Sequence, residues 1–284
     1  MTVGDPAAMS PDTIVLIHGL WVTARSWEDW VPYYRQAGYE VLAPSYPGLE
    51  IEVEALRADP SPVEKLTIED TAAHYERIIR GLEKPPIMIG HSFGGTVVQL
   101  MLDRGLGAAG VAIASLPVKG VKVVSISQAK SVLPVLGHVS TRHKAVQLSF
   151  EQFRYAFCNA SSEAEARAAY ERYHVGAPGR IVWDCVLANL RSHPATEVDF
   201  AKRGRAPLLF IAGGEDHLMP PAANRSNYKC YLDKASDVVV AYQEFAGRAH
   251  FTLGQHGWQE VADFALTWAE KPGPYDSISQ QDTE

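Results

Sequence analysis

The feature that most constrains this chain is a series of six short apolar runs, at 13–17, 39–43, 86–89, 110–114, 207–212 and 238–242. They are nearly continuous in Val, Ile, Leu and Ala instead of alternating, the pattern of strands buried on both faces of a parallel sheet. Helix signals fall between them. Thr67-Ile-Glu-Asp70 resembles a capping box opening a helix to about Gly81, Thr96-Val-Val-Gln-Leu-Met-Leu102 is apolar almost all round, and 258–270 reads as a final amphipathic helix. Strand–helix alternation about a mostly parallel sheet is the α/β class. With 46% apolar residues in 284, the chain can bury a sizeable core.

The rhythm fails once. Residues 118–203 hold no convincing strand but two capping-box sequences, Ser149-Phe-Glu-Gln152 and Ser162-Glu-Ala-Glu165, and a third helix is expected around 180–190. Phe150, Phe153, Phe157, Tyr170, Tyr173 and Trp183 make this an inserted helical cap, its aromatics either filling its own core or facing a ligand. The expected organisation is a core domain from 12–117 and 204–270, a cap over 118–203, and flexible tails at 1–11 and 271–284.

Composition narrows the partners. The net charge of −7 argues against nucleic acid and anionic membrane as main partners, since both need a basic footprint. Three cysteines (Cys158, Cys185, Cys230) without a CxxC pair argue against a disulfide framework or structural zinc and fit a reducing compartment. Residues 1–12 lack a basic start and an apolar stretch, so no signal peptide is expected, and no apolar run nears the roughly 18 residues of a membrane span. The expectation is a soluble cytoplasmic protein acting on a small molecule, with homo-oligomer formation left open.

The chemistry concentrates at Gly90-His91-Ser92-Phe93-Gly94, between a buried strand and a buried helix. This is the G-x-S-x-G nucleophile elbow in the setting the motif requires. A sharp strand-to-helix turn strains the middle residue and lifts the Ser92 hydroxyl above the sheet, and side chains at Gly90 and Gly94 would collide across the turn. The helix N-terminus behind it offers free N–H groups and a favourable dipole. An ordinary Gly-rich turn is the bland alternative. A serine hydroxyl needs a base, and the base an orienting carboxylate; ten histidines compete for the first role.

With Ile17-His18-Gly19-Leu20-Trp21 after the first strand, the chain resembles an α/β-hydrolase-fold serine hydrolase of the capped group that includes esterases, lipases and cofactor-free haloperoxidases. The resemblance covers about residues 12–270 and implies a roughly six-stranded sheet beginning near the family's third strand. It also implies oxyanion-hole amides from Leu20 and Phe93, with His18 bracing the loop. The family order of Ser, acid, His points to Asp216 in Gly213-Gly-Glu-Asp216 and to His250 in Ala246-Gly-Arg-Ala-His250. His256 and His217 are rival bases, and Glu215 is the rival acid. Ala114-Ser-Leu-Pro-Val-Lys119, where some relatives keep the acid, has no carboxylate.

Trp21, His91, Phe153 and Trp183 are the substrate-pocket candidates, with core packing the competing role for Trp21. Trp27 and Trp30, three apart on one helix face, read as core. The alternating Glu50, Glu52 and Glu54 read as a solvated edge if extended. His138 and His143 lack the spacing of a metal site, so no metal and no cofactor is expected. The implied activity is metal-independent hydrolysis of carboxylic esters of small to medium apolar substrates. The same triad could instead serve C–C bond hydrolysis, lactone opening, hydroxynitrile cleavage or peracid formation. From another class, the pocket could belong to a non-catalytic receptor.

Overall fold

The computed structural model describes residues 10–122, 125–234 and 237–277. Strand β1 (Thr13–Ile17) leads through a 3₁₀ turn (Ala24–Trp27) to α1 (Trp30–Gln36), and β2 (Glu40–Leu42) leads to α2 (Val53–Ala58) and α3 (Ile68–Arg80). Next come β3 (Ile87–His91), α4 (Phe93–Asp103) and β4 (Ala109–Ile113). The inserted segment supplies α5 (Ile126–Leu136), β5 (Ala145–Val146), α6 (Phe150–Phe157), α7 (Glu163–Tyr173), β6 (Ala177–Pro178) and α8 (Gly179–Val186). The chain returns with β7 (Leu208–Gly213), α9 (Pro221–Leu232), β8 (Val240–Phe245), α10 (Gln259–Glu270) and β9 (Tyr275–Asp276).

The main sheet has seven strands in the order β2-β1-β3-β4-β7-β8-β9, and every neighbouring pair is parallel. This is the α/β-hydrolase fold with helices flanking the sheet. The apolar runs sit where the double burial of a parallel sheet demands: β1, β3, β4 and β7 are buried at every position. After β1 the chain goes outward to β2, then returns to lay β3 on β1's other side. The strand order therefore reverses between β1 and β3, the place where open α/β sheets leave a ligand crevice beyond their carboxyl ends. The register aligns these ends, pairing Ile17 with Gly90, His91 with Ile113, and Gly213 with Phe245.

The capping boxes at Thr67, Ser149 and Ser162 all form, each with reciprocal side-chain and backbone bonds. Trp27 and Trp30 are fully buried in edge-to-face contact, and the Trp30 indole N–H donates to Leu253 O.

Three local expectations change. The seventh strand, β9, lies in the segment expected as tail; it pairs with β8, and Tyr275 packs on Phe264 while the Trp268 indole donates to Gly273 O. Helix α5 opens at Ser125, whose hydroxyl accepts from Gln128 N–H. The Glu50–Glu54 segment is not extended, because residue 53 begins α2, and Arg25 pairs with both Glu52 and Glu54.

Candidate active site

Every side chain of the candidate site projects from a loop at the carboxyl edge of the sheet. Ser92 joins β3 to α4 with φ 57° and ψ −120°, a conformation non-glycine residues adopt only at a cost of order 1–3 kcal/mol. Its own peptide holds the turn: Ser92 N–H donates to Ile113 O at 2.8 Å, and Leu116 N–H donates to Ser92 O at 3.1 Å. The flanking glycines are required sterically. A Cβ at Gly90 would lie 2.2 Å from Gly94 O, and one at Gly94 would lie 2.1 Å from Ile17 O.

His250 follows β8 and Asp216 follows β7. His250 Nε2 lies 3.0 Å from Ser92 Oγ, and His250 Nδ1 lies 2.7 Å from Asp216 Oδ2. The other carboxylate oxygen of Asp216 accepts from Leu218 N–H at 2.8 Å and Met219 N–H at 2.7 Å. All three side chains are buried. The acceptor at Asp216 places the imidazole proton on Nδ1, which leaves Nε2 as the acceptor for the Ser92 hydroxyl.

Phe93 opens α4, where the first backbone N–H groups have no intrahelical acceptor. Leu20 follows Gly19, which presses against the Ser92 turn: a Cβ at Gly19 would sit 2.8 Å from Ser92 Cβ. The two amides expected to face an oxyanion thus flank Ser92.

The rivals lie elsewhere. His217 Nδ1 donates to Tyr155 O at 3.0 Å, His256 is exposed, and Glu215 points to solvent beside the buried Asp216. His18 braces its loop: Nδ1 donates to Gly19 O, Nε2 accepts from Tyr46 N–H, and the Tyr46 hydroxyl donates to His18 O. Burial pulls the His18 imidazole down to about 4, so it stays neutral. Among the described residues no group of three metal-ligating side chains converges.

Beside the triad lies a cavity of about 360 Å³ with a mainly apolar wall. Trp21, Leu116, Leu218 and Met219 bring it against the site loops, and α5 and α8 close it from the insert through residues such as Val132 and Val182. The insert is bonded to those loops. Trp21, at φ 63°, donates its indole N–H to Val146 O at 3.0 Å and accepts Val175 N–H at its own carbonyl at 2.9 Å. Phe251 N–H donates to Phe157 O at 2.8 Å, and the Phe157 ring stands edge-on to His250 at 4.9 Å.

Of the pocket candidates only Trp21 lines this cavity, and the other three require correction. His91 is buried under His250, donating from Nε2 to His250 O at 2.8 Å, with burial and the neighbouring imidazole keeping it far below its ordinary pKa. Phe153 stacks on Phe157 and packs edge-on against Tyr170 inside the insert's own core. Trp183 sits about 100° around α8 from Val182 and turns to the 3₁₀ turn at Val139–His143, where its indole N–H donates to Thr141 Oγ1.

Sequence reasoning missed α5 as the main wall and missed Asn224. The latter accepts from Ser115 N–H and donates to Met219 O, tying the turn that clamps Ser92 to the loop that carries Asp216. Ser125 and Gln128, spaced as Ser-x-x-Gln, were a readable signal for α5. Asn224, inside a helix, offered none.

The sequence matches the model of the Alpha/beta hydrolase family over residues 14–264, and the chain belongs to that family. A search of curated protein sequences finds no match. Among solved structures, the chain is similar to the monoacylglycerol lipase of Paleococcus ferrophilus, at 21% identity and TM-score 0.64 over 92% of this chain and 95% of that one. It is also similar to an extracellular α/β-hydrolase from a Paenibacillus species, at 21% identity and TM-score 0.66 over 92% and 100%. A third similar structure is a pyrethroid hydrolase from Sphingobium faniae, at 18% identity and TM-score 0.64 over 93% and 99%. At these identities the likeness speaks for the fold.

Proposed function

We propose that this protein is a serine hydrolase that cleaves carboxylic esters of small to medium apolar substrates through an acyl-enzyme. The observation that carries the reading is the buried chain from Ser92 Oγ to His250 at 3.0 Å and from His250 to Asp216 at 2.7 Å. The lipase and hydrolase neighbours agree with it. The inserted helices act as a cap whose wall receives the apolar part of the substrate, within the size range of small-molecule pockets.

In this chemistry His250 Nε2 takes the Ser92 proton as Oγ attacks the ester carbonyl carbon. The resulting imidazolium is stabilised by Asp216, and the Leu20 and Phe93 amides stabilise the oxyanion. Collapse of the tetrahedral adduct expels the alkoxide, which takes the proton from His250, and leaves the acyl group on Ser92. A water then gives its proton to His250 and attacks the acyl carbon; as this second adduct collapses, Ser92 Oγ takes that proton back from His250 and the acid is released. No step needs a metal or cofactor.

A fluorophosphonate probe tests the reading. One adduct is expected on the peptide containing Ser92, together with turnover of p-nitrophenyl butyrate that Ser92→Ala abolishes. Labelling that persists in a folded Ser92→Ala variant would refute the assignment.

A further inference from the structure

Exposed apolar side chains are normal when scattered. Here they are concentrated. Among the described residues the large exposed ones are Ile51, Leu232 and five in the insert: Ile126 (90% exposed), Leu190 (81%), Val139 (76%), Leu133 (61%) and Val186 (48%). Leu133 and Val186 also line the cavity, so it reaches the surface between them. Ile126 shares the face of Leu133 on α5, seven residues earlier, and Lys130 lies on that face between them. Leu190 stands one turn beyond Val186, and Val139 begins the 3₁₀ turn that packs on α8.

The charge of this region reverses that of the chain. Residues 118–150 contain five Lys and Arg and no Asp or Glu, and 118–203 hold twelve basic against seven acidic residues, in a chain of net charge −7. Lys122, Lys130, Lys144 and Arg180 are exposed, and Arg180 shares the single carboxylate of Asp184 with the half-buried Arg142 and Arg191.

We infer that the insert's outer face docks on an anionic lipid–water interface, with the cavity mouth turned toward the lipid. Protruding apolar side chains set among basic ones are the chemistry of interfacial binding. A second copy fits poorly, because a two-fold contact would oppose this basic face to itself. The whole-chain charge, which argued against anionic membranes, instead orients the molecule: the acidic remainder is repelled while the insert is drawn in. The docking stands whether or not the protein hydrolyses esters, and its test reads binding.

Cosedimentation of the full chain is measured with vesicles of phosphatidylcholine alone and with about a third phosphatidylglycerol. The expected result is at least about tenfold stronger partition to the anionic vesicles, weakening as salt screens the lysines. The triple variant Ile126→Ser, Val139→Ser, Leu190→Ser should lose about tenfold or more, and Lys122→Gln with Lys130→Gln and Lys144→Gln should abolish the preference for anionic lipid. Leu232→Ser, on α9, should change nothing. Thermal melts establish that each variant is folded. Absent or equal binding to the two vesicle types overturns the inference. So does equal weakening by Leu232→Ser, or a dimer by light scattering that the apolar triple variant dissolves without any vesicle binding.

Discussion

Asp216→Asn should reduce kcat by about 10⁴ while leaving the fold intact. The reason lies in how Asp216 divides its oxygens. Oδ1 receives the amides of Leu218 and Met219, and Oδ2 receives His250 Nδ1–H. An asparagine has one oxygen for these two tasks. Turning its NH₂ toward the amides would leave two buried N–H donors facing a third donor, at about 1–3 kcal/mol each. The carboxamide oxygen therefore stays with the amides, and the NH₂ faces His250. Imidazole adapts at little cost by moving its proton to Nε2. That tautomer donates to Ser92 instead of accepting from it, so the hydroxyl loses its base. A loss of 10⁴ corresponds to about 5.5 kcal/mol of transition-state stabilisation. Stopped-flow or steady-state release of p-nitrophenol from a butyrate ester reads it, with a thermal melt confirming the fold. Glu215→Gln, at the exposed neighbour, should stay within a few-fold of the parent. A folded Asp216→Asn within tenfold of the parent, or a crippled Glu215→Gln, would refute the reasoning.

Two further outcomes follow from the same geometry. Gly94→Ala drives a Cβ into the backbone oxygen of Ile17 at 2.1 Å and should cost at least about 3 kcal/mol by urea denaturation, whereas Gly38→Ala, with φ +97° and open space, should cost about 1–2 kcal/mol. Burial holds His174 down to about 3, against 6.5 for the unfolded imidazole, so stability is fully present above pH 6.5 and falls with acid as the unfolded chain takes up the proton first, levelling off only near pH 3. His174→Gln retains an acceptor for Leu148 N–H and does not titrate; melts from pH 6 to 4.5 should show a slope shallower by up to about 1.4 kcal/mol per pH unit, and an unchanged slope would reject the role given to His174.

The parts of this fold that were legible in the sequence are those where local chemistry and tertiary place coincide. A strand buried on both faces must be apolar throughout, so β1, β3, β4 and β7 announced themselves. The elbow needs its glycines at 90 and 94 because backbone crosses backbone there. The loops holding Asp216 and His250 followed from the alternation of strands and helices once Ser92 was fixed and the family order applied. Strand β9 was not legible because a two-residue strand has no period, and it forms only when β8 supplies an edge. The cavity wall was misread for a related reason. Aromatic content marked α6, yet Phe153 and Phe157 satisfy each other by stacking, while the aliphatic α5, interrupted by Pro134, carries the wall. Which face a helix of the insert turns to the site is decided by its neighbours, and its own periodicity does not record them.

Under the proposed chemistry, Trp21 and Phe251 give the insert a place in the timing of the reaction. Two hydrogen bonds join the insert to Trp21, the residue after Leu20, and one joins it to Phe251, the residue after His250. Filling the cavity presses on Trp21, which shares backbone with Leu20, and on Leu218 and Met219, which share backbone with Asp216. Under that chemistry, binding energy from an apolar group far from the ester is delivered through these two loops. It can be realised as better alignment in the transition state instead of tighter ground-state binding. Chain-length discrimination by this protein would then be written mainly in kcat, with KM changing little across a series of esters that fit.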